Sequence, residues 1–197
     1  MSETPDRHSI PANLKQIAQN IRLTGWISFW VQLVIGVIAS LILGFAIVLS
    51  RIGANNPQTA NNPGTGGGAF LAFLSLLALY FSAYQAFRYT RLARKLQESN
   101  PNLRPKKAET IKILRFGLMV SLVGMGLAIV GAEAIAGTLL GKSLFRPESV
   151  FNPSFNLREL IQPLDIFVVL GNTHIIAAHF AGTIASLWLL YRLSRQP

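Results

Sequence analysis

The chain has 197 residues, 51% hydrophobic and 13% charged, with mean hydropathy +0.41, a balance too apolar for an ordinary soluble domain. A formal net charge of +10 would suggest nucleic acid in a soluble chain. Here the basic residues flank long neutral runs, where they meet anionic head groups, so the expected partner is a lipid bilayer and no nucleic acid. Absence of cysteine excludes disulfides, thiolate metal sites and iron–sulfur ligation, leaving oxygen and imidazole as donors for any metal.

The chain opens "MSETPDRHSIPANLKQIAQNIRLTGW", with neither a signal peptide nor a long Ser- and Arg-rich transit segment. Ile10, Leu14, Ile17 and Ile21 are spaced by four, three and four residues. That spacing gives one apolar stripe on a short helix, so residues 1–25 are expected to form a cytoplasmic amphipathic segment lying on the membrane. Beyond it, residues 23–50, 52–87 and 166–191 carry no Asp, Glu, Lys or Arg, and 116–141 carry only Glu133. A crossing needs about 20 apolar residues. The expectation is an all-α membrane protein with four transmembrane helices at 26–49, 69–88, 113–140 and 166–191, and a cytoplasmic tail at 192–197.

The first connection, "RIGANNPQTANNPGTGGGAF", reads as a polar turn outside the membrane. Its "GTGGG" at 64–68 lacks the Lys-Ser/Thr of a phosphate loop and reads as a flexible turn. The last connection, "KSLFRPESVFNPSFNLRELIQPLD", sets Phe145, Phe151 and Phe155 among Pro147, Pro153 and Pro163. Its aromatics are expected at the outer interface, with Asp165 capping the fourth helix. No HExxH, GxSxG or paired-carboxylate arrangement appears, so no enzyme activity is expected.

Of 18 basic residues, 14 fall in the N-terminal segment, the 88–115 connection or the C-terminus; the other side has only Arg51, Lys142, Arg146 and Arg158. The positive-inside rule then places both termini and the central loop in the cytoplasm or stroma. Within that loop Arg88, Arg91, Arg94, Lys95, Arg104, Lys106 and Lys107 form a candidate docking surface for anionic lipid or a partner. Small residues recur every three or four positions: Ser28, Gln32, Gly36, Ser40 and Gly44 in the first span, and Gly117, Ser121, Gly124, Ala128 and Gly131 in the third. Such seams let helix backbones approach closely in lipid, and could also serve a homo-oligomer or a larger membrane complex.

The stretches "TGWISFWVQLVIGV", "AFRYTRLARKL", "GAEAIAGTLLGKSL" and "GNTHIIAAHFAGTIASLWLL" together resemble the chloroplast inner-envelope permease-in-chloroplasts family, also called Tic twenty-one, and its cyanobacterial relatives. The likeness covers nearly the whole chain, and "GWISFWVQ" and "AHFAGTIASLWLL" are its most specific parts. It implies a four-span protein with one of two roles, iron transport or membership of a protein-import translocon. With no transit segment, a cyanobacterial origin is expected over a plastid precursor, in the plasma or thylakoid membrane, with the chloroplast inner envelope as the alternative.

Glu133 raises the question of what a carboxylate does in so apolar a span. By helical rise it stands roughly 11 Å below the outer boundary, with Asn172 and His174 roughly 9 and 12 Å down the fourth helix. In one reading Glu133, His174 and Asn172 form a transient site for a transported divalent cation such as Fe²⁺. In the other, Glu133 hydrogen-bonds a neighbouring helix as an assembly pin, because an ionisable group at mid-membrane costs roughly 2.5–3.5 kcal/mol. His174 and His179 lie about 140° apart and are no one-helix chelate, whereas Asn172, His179 and Ser186 share a stripe that can face the bundle interior.

Overall fold

The computed structural model describes residues 12–54, 66–98, 100–144, 161 and 163–195. Four α-helices make up nearly all of them: α1 (Ala12–Ala54), α2 (Gly66–Leu96), α3 (Lys107–Leu144) and α4 (Pro163–Ser194). A short 3-10 turn, Pro101–Leu103, joins α2 to α3, and the described residues include no strand. All four helices are long and apolar enough to cross a membrane, and each contains an expected span and overruns it at both ends. Even α2, with 31 residues, rises roughly 46 Å against a hydrocarbon core of about 30 Å. The protein is an integral, multi-pass, all-α membrane protein.

Each helix packs on its neighbours in chain order, α4 closes the ring on α1, and α2 also meets α4 across the middle. One end of the bundle gathers the start of α1, the end of α2, the start of α3 and the end of α4 around Ala18, Ile21, Leu96, Leu114, Leu189 and Leu193. The basic ends of α2 and α4 emerge here, with Arg91, Arg94, Lys95, Arg192 and Arg195 exposed. A middle cluster of Ala39, Leu76, Leu79, Ala128, Ile175 and Ala178 follows, and Ala46, Ile135 and Val168 fill the far end. Large apolar side chains such as Leu41, Phe73, Met119 and Val130 instead face outward. Lipid tails are as apolar as leucine, so helix contact is left to small residues and polar groups.

Two features of the ends depart from expectation. From Leu14 onward the N-terminal stripe forms no separate surface helix; it is the first part of α1, with Ala18 and Ile21 buried and Leu14 and Ile17 packed beside them, while Ile10 and the rest of residues 1–11 lie outside the described residues. Nothing in the sequence breaks the helix before Trp26. Gly25 is accommodated where a Cβ would come within 3.0 Å of both Ala86 O and Tyr89 Cβ, so α1 passes close along α2 and continues. Residues 66–68 likewise belong to the first turn of α2 and are no flexible turn. A Cβ on Gly68 would stand 2.8 Å from Gly131 O, so glycine there allows α2 to close on α3. Phe145, Phe151 and Phe155, and residues 55–65 of the first connection, lie outside the described residues.

Candidate functional site

A column of polar side chains runs down the bundle axis, in four levels set by the antiparallel registers of α2, α3 and α4. Nearest the far end, Asn172 Nδ2 donates to Ala128 O at 2.8 Å. At the next level Ser75 Oγ donates to Gly124 O at 2.7 Å, and His179 Nε2 donates to Ser75 O at 3.2 Å. Below these, Ser82 and Ser121 share a 2.7 Å hydrogen bond while Gln32 Nε2 donates to Ser28 Oγ at 2.8 Å. At the basic end the Tyr89 hydroxyl faces Ser186 Oγ, at a long 3.4 Å. All these side chains are buried.

Glycine makes room for the largest of them. A Cβ on Gly124 would collide with the His179 imidazole, and one on Gly117 with the Tyr89 hydroxyl. One on Gly182 would come within 2.8 Å of Gln32 Nε2 and 3.0 Å of Ser121 Oγ. The small-residue seam of α3 therefore seats polar groups as well as backbones.

The hydrogen bonds leave a patterned remainder. A carbonyl can only accept, so the bond to Ser75 O puts a hydrogen on His179 Nε2, and in the neutral imidazole Nδ1 is then a bare lone pair. His179 Nδ1, Asn172 Oδ1 and Gln32 Oε1 are buried without a hydrogen-bond partner among the described residues, as is Gln85 Nε2. Gln85 Oε1 accepts from Arg88 at 3.1 Å. Three of these four atoms are acceptors. Each buried, unmatched polar atom costs about 1–3 kcal/mol. The column thus retains acceptor capacity for a cation or another hydrogen-bond donor.

Near the far end of the column lies an ion pair that sequence reasoning missed. Lys142 Nζ approaches Asp165 Oδ2 at 2.8 Å, with Asp165 fully buried and Lys142 11% exposed. Pro163 occupies the first helical position of α4, where its missing N–H is no loss, and this places Asp165 inside the first turn instead of at the cap. The carboxylate joins α3 to α4. The signal available was two opposite charges bracketing one loop.

The three residues grouped by depth are not gathered into one ligand set. Asn172 is in the column. His174 is half-buried, its Nδ1 bonded to Leu170 O at 2.8 Å within α4. Glu133 is exposed, on the side of α3 opposite the buried stripe of Gly124, Ala128, Gly131 and Ile135, and has no ion-pair or hydrogen-bond partner among the described residues. No three His, Asp or Glu side chains converge among the described residues. His179 takes the interior place instead.

In the first-span seam Ser28, Gln32 and Gly36 are buried, Ser40 reaches the Tyr80 hydroxyl at 2.7 Å, and nothing stands within 4 Å of a Cβ on Gly44. Gly117, Ser121 and Gly124 are buried in the α3 seam. Of the basic surface, Arg88, Arg91, Arg94, Lys95, Lys106 and Lys107 are exposed. Arg104 instead donates from Nε to Glu98 O at 2.7 Å, satisfying a carbonyl just beyond α2.

The family described as "Protein of unknown function (DUF3611)" matches residues 11–194. Protein TIC 21, chloroplastic, from Arabidopsis thaliana is 32% identical over 189 residues, covering 91% of this chain and 60% of that protein. The chain thus spans less than two thirds of that relative's length. No solved structure matches.

Proposed function

The chain belongs to the DUF3611 family and is a relative of protein TIC 21, and from that premise we propose that it transports a divalent cation such as Fe²⁺ along the buried column. The observation that carries the proposal is the set of unpartnered acceptors at His179 Nδ1, Asn172 Oδ1 and Gln32 Oε1, buried inside a membrane-crossing bundle. Imidazole nitrogen is a suitable donor for Fe²⁺, and amide oxygen adds a weaker, neutral oxygen ligand for a divalent cation. Asn172 and His179 are seven residues apart, roughly 10 Å along α4, so they act in succession instead of as one chelate. Weak, successive sites suit passage better than storage. By the basic end of the bundle, both termini face the cytoplasm or stroma. The membrane is a cyanobacterial plasma or thylakoid membrane, or the chloroplast inner envelope that the relative's name suggests.

The test is Fe²⁺ uptake into vesicles reconstituted with the purified protein. His179→Phe fills the niche beside Gly124 while removing the lone pair, and uptake should fall at least about tenfold, with helicity and elution volume unchanged. Full uptake by the folded variant overturns the proposal. A second reading, an accessory or scaffold subunit of a translocon or photosynthetic membrane complex, is favoured by Glu133. It shares an outward face of α3 with Gly126 and Gly137, where a Cβ would meet nothing within 4 Å. A partner helix there would supply the donor this carboxylate lacks. Under that reading Glu133→Leu lowers the native mass in mild detergent, and wild-type vesicles take up no Fe²⁺.

A further inference from the structure

A groove of about 550 Å³ runs between α1 and α2 on the outer side of the Gly25 crossing. Arg22, Arg91 and Arg94 line it toward the basic end of the bundle, and Leu23, Trp26 and Phe87 line it toward the middle. On α1, Arg22 and Trp26 are one turn apart; on α2, Phe87, Arg91 and Arg94 are spaced by four and three, so each helix presents one face to the groove. The aromatic part is built firmly. Trp26 lies 5.8 Å from both Phe29 and Trp30, and Phe29 lies 5.6 Å from Phe87. The Arg91 guanidinium stands 5.1 Å from the centre of the Phe87 ring.

From this arrangement we infer that the groove holds one anionic phospholipid, its phosphate against Arg22, Arg91 and Arg94 and an acyl chain along Leu23, Trp26 and Phe87. Charge complementarity commits the occupant. No acidic side chain lines the groove, and none of its three arginines has an ion-pair partner among the described residues. Arginine presents a planar fork of donors that matches phosphate oxygens. Trp26 lies roughly 6 Å deeper along α1 than Arg22, the separation of a head group from the start of its chains. Tryptophan is a residue favoured at that boundary. A zwitterionic lipid would bring its own cation toward three arginines, and a soluble phosphate would leave the aromatic wall uncovered.

The assignment is independent of the transport proposal, and uptake assays do not bear on it. Native mass spectrometry of the protein purified in neutral detergent and mixed with phosphatidylglycerol should show retained lipid. In R22Q/R91Q/R94Q retention should fall about a hundredfold, the combined effect of three cations near one anionic head group, while K112Q/R115Q, at exposed positions of α3 outside the groove, should retain it. Equal retention by the triple variant, equal retention of phosphatidylcholine by the wild type, or displacement by inorganic phosphate alone would each overturn the assignment. Should the triple variant not fold, the wild type in vesicles decides. Brominated phosphatidylglycerol should quench its tryptophan fluorescence more than brominated phosphatidylcholine, and equal quenching refutes a selective site.

Discussion

The two faces of α3 are made of similar residues and meet opposite fates. On the inner face Gly117, Ser121, Gly124, Ala128 and Gly131 are buried, and the three glycines make room for Tyr89, His179 and the α2 backbone at Gly68. On the outer face Gly126, Glu133 and Gly137 are exposed, and a Cβ on either glycine would meet nothing within 4 Å. Small residues therefore permit close approach without stating what approaches. What separates the faces is the polar partner: Ser121, Ala128 O and Gly124 O are hydrogen-bonded across the bundle, and Glu133 is not, among the described residues.

The largest test of this contrast is at Lys142, which continues the inner face. Asp165→Leu removes the carboxylate 2.8 Å from the Lys142 ammonium in a site 11% exposed, and breaking a buried pair costs about 3–5 kcal/mol. At about 2–4 °C per kcal/mol for a chain of this size, the melting temperature in mild detergent should drop by roughly 6–20 °C. The double variant K142M/D165L should recover most of that loss, since it removes both charges of the pair together. A small effect from D165L alone would mean that the pair contributes nothing to closing α3 on α4.

Next comes the direct comparison of glycines. Gly124→Ala drives a methyl group into the His179 imidazole and should cost about 1–3 kcal/mol, whereas Gly126→Ala and Gly137→Ala should be neutral or stabilising by about 0.5–1 kcal/mol through helix propensity. Thermal scans of the three variants side by side decide it, and equal losses would erase the distinction between the faces. A smaller effect is expected at Asn172. Asn172→Leu removes a hydrogen bond but also an unmatched buried acceptor, so stability should shift by no more than about 1 kcal/mol while Fe²⁺ uptake drops. The smallest is Glu133→Gln, for which the change in the isolated chain should stay under about 0.5 kcal/mol. A larger loss on dilution in detergent would reveal an occupied outer face.

These outcomes also explain what could be read beforehand. The four crossings follow from uninterrupted apolar runs, and the α3 seam from its three- and four-residue spacing, both local properties. The stripe of Asn172, His179 and Ser186 was visible by its seven-residue period, and all three are buried. Grouping Glu133 with His174 used depth alone. Helical rise fixes how far along the axis a residue lies but not which way it points, and α3 offers small residues on both sides, so the phase stayed undetermined. Asp165 was legible as a residue near a helix start, but its partner lies 23 residues away across residues 145–160, beyond any local rule. The N-terminal stripe was correctly periodic; whether it met lipid or α2 and α4 depended on how closely α1 could pass at Gly25.

The Lys142–Asp165 pair also has a consequence for biogenesis. A lone α3 would lack the Asp165 carboxylate that stands 2.8 Å from its Lys142, and a lone α4 would lack that ammonium. Membrane insertion of this half should therefore be cooperative, α3 waiting for α4 before it is fully committed. In a translocation assay, chains truncated after residue 144 should insert less completely than chains extending through residue 195, and D165L should reproduce part of that deficit in the full-length chain.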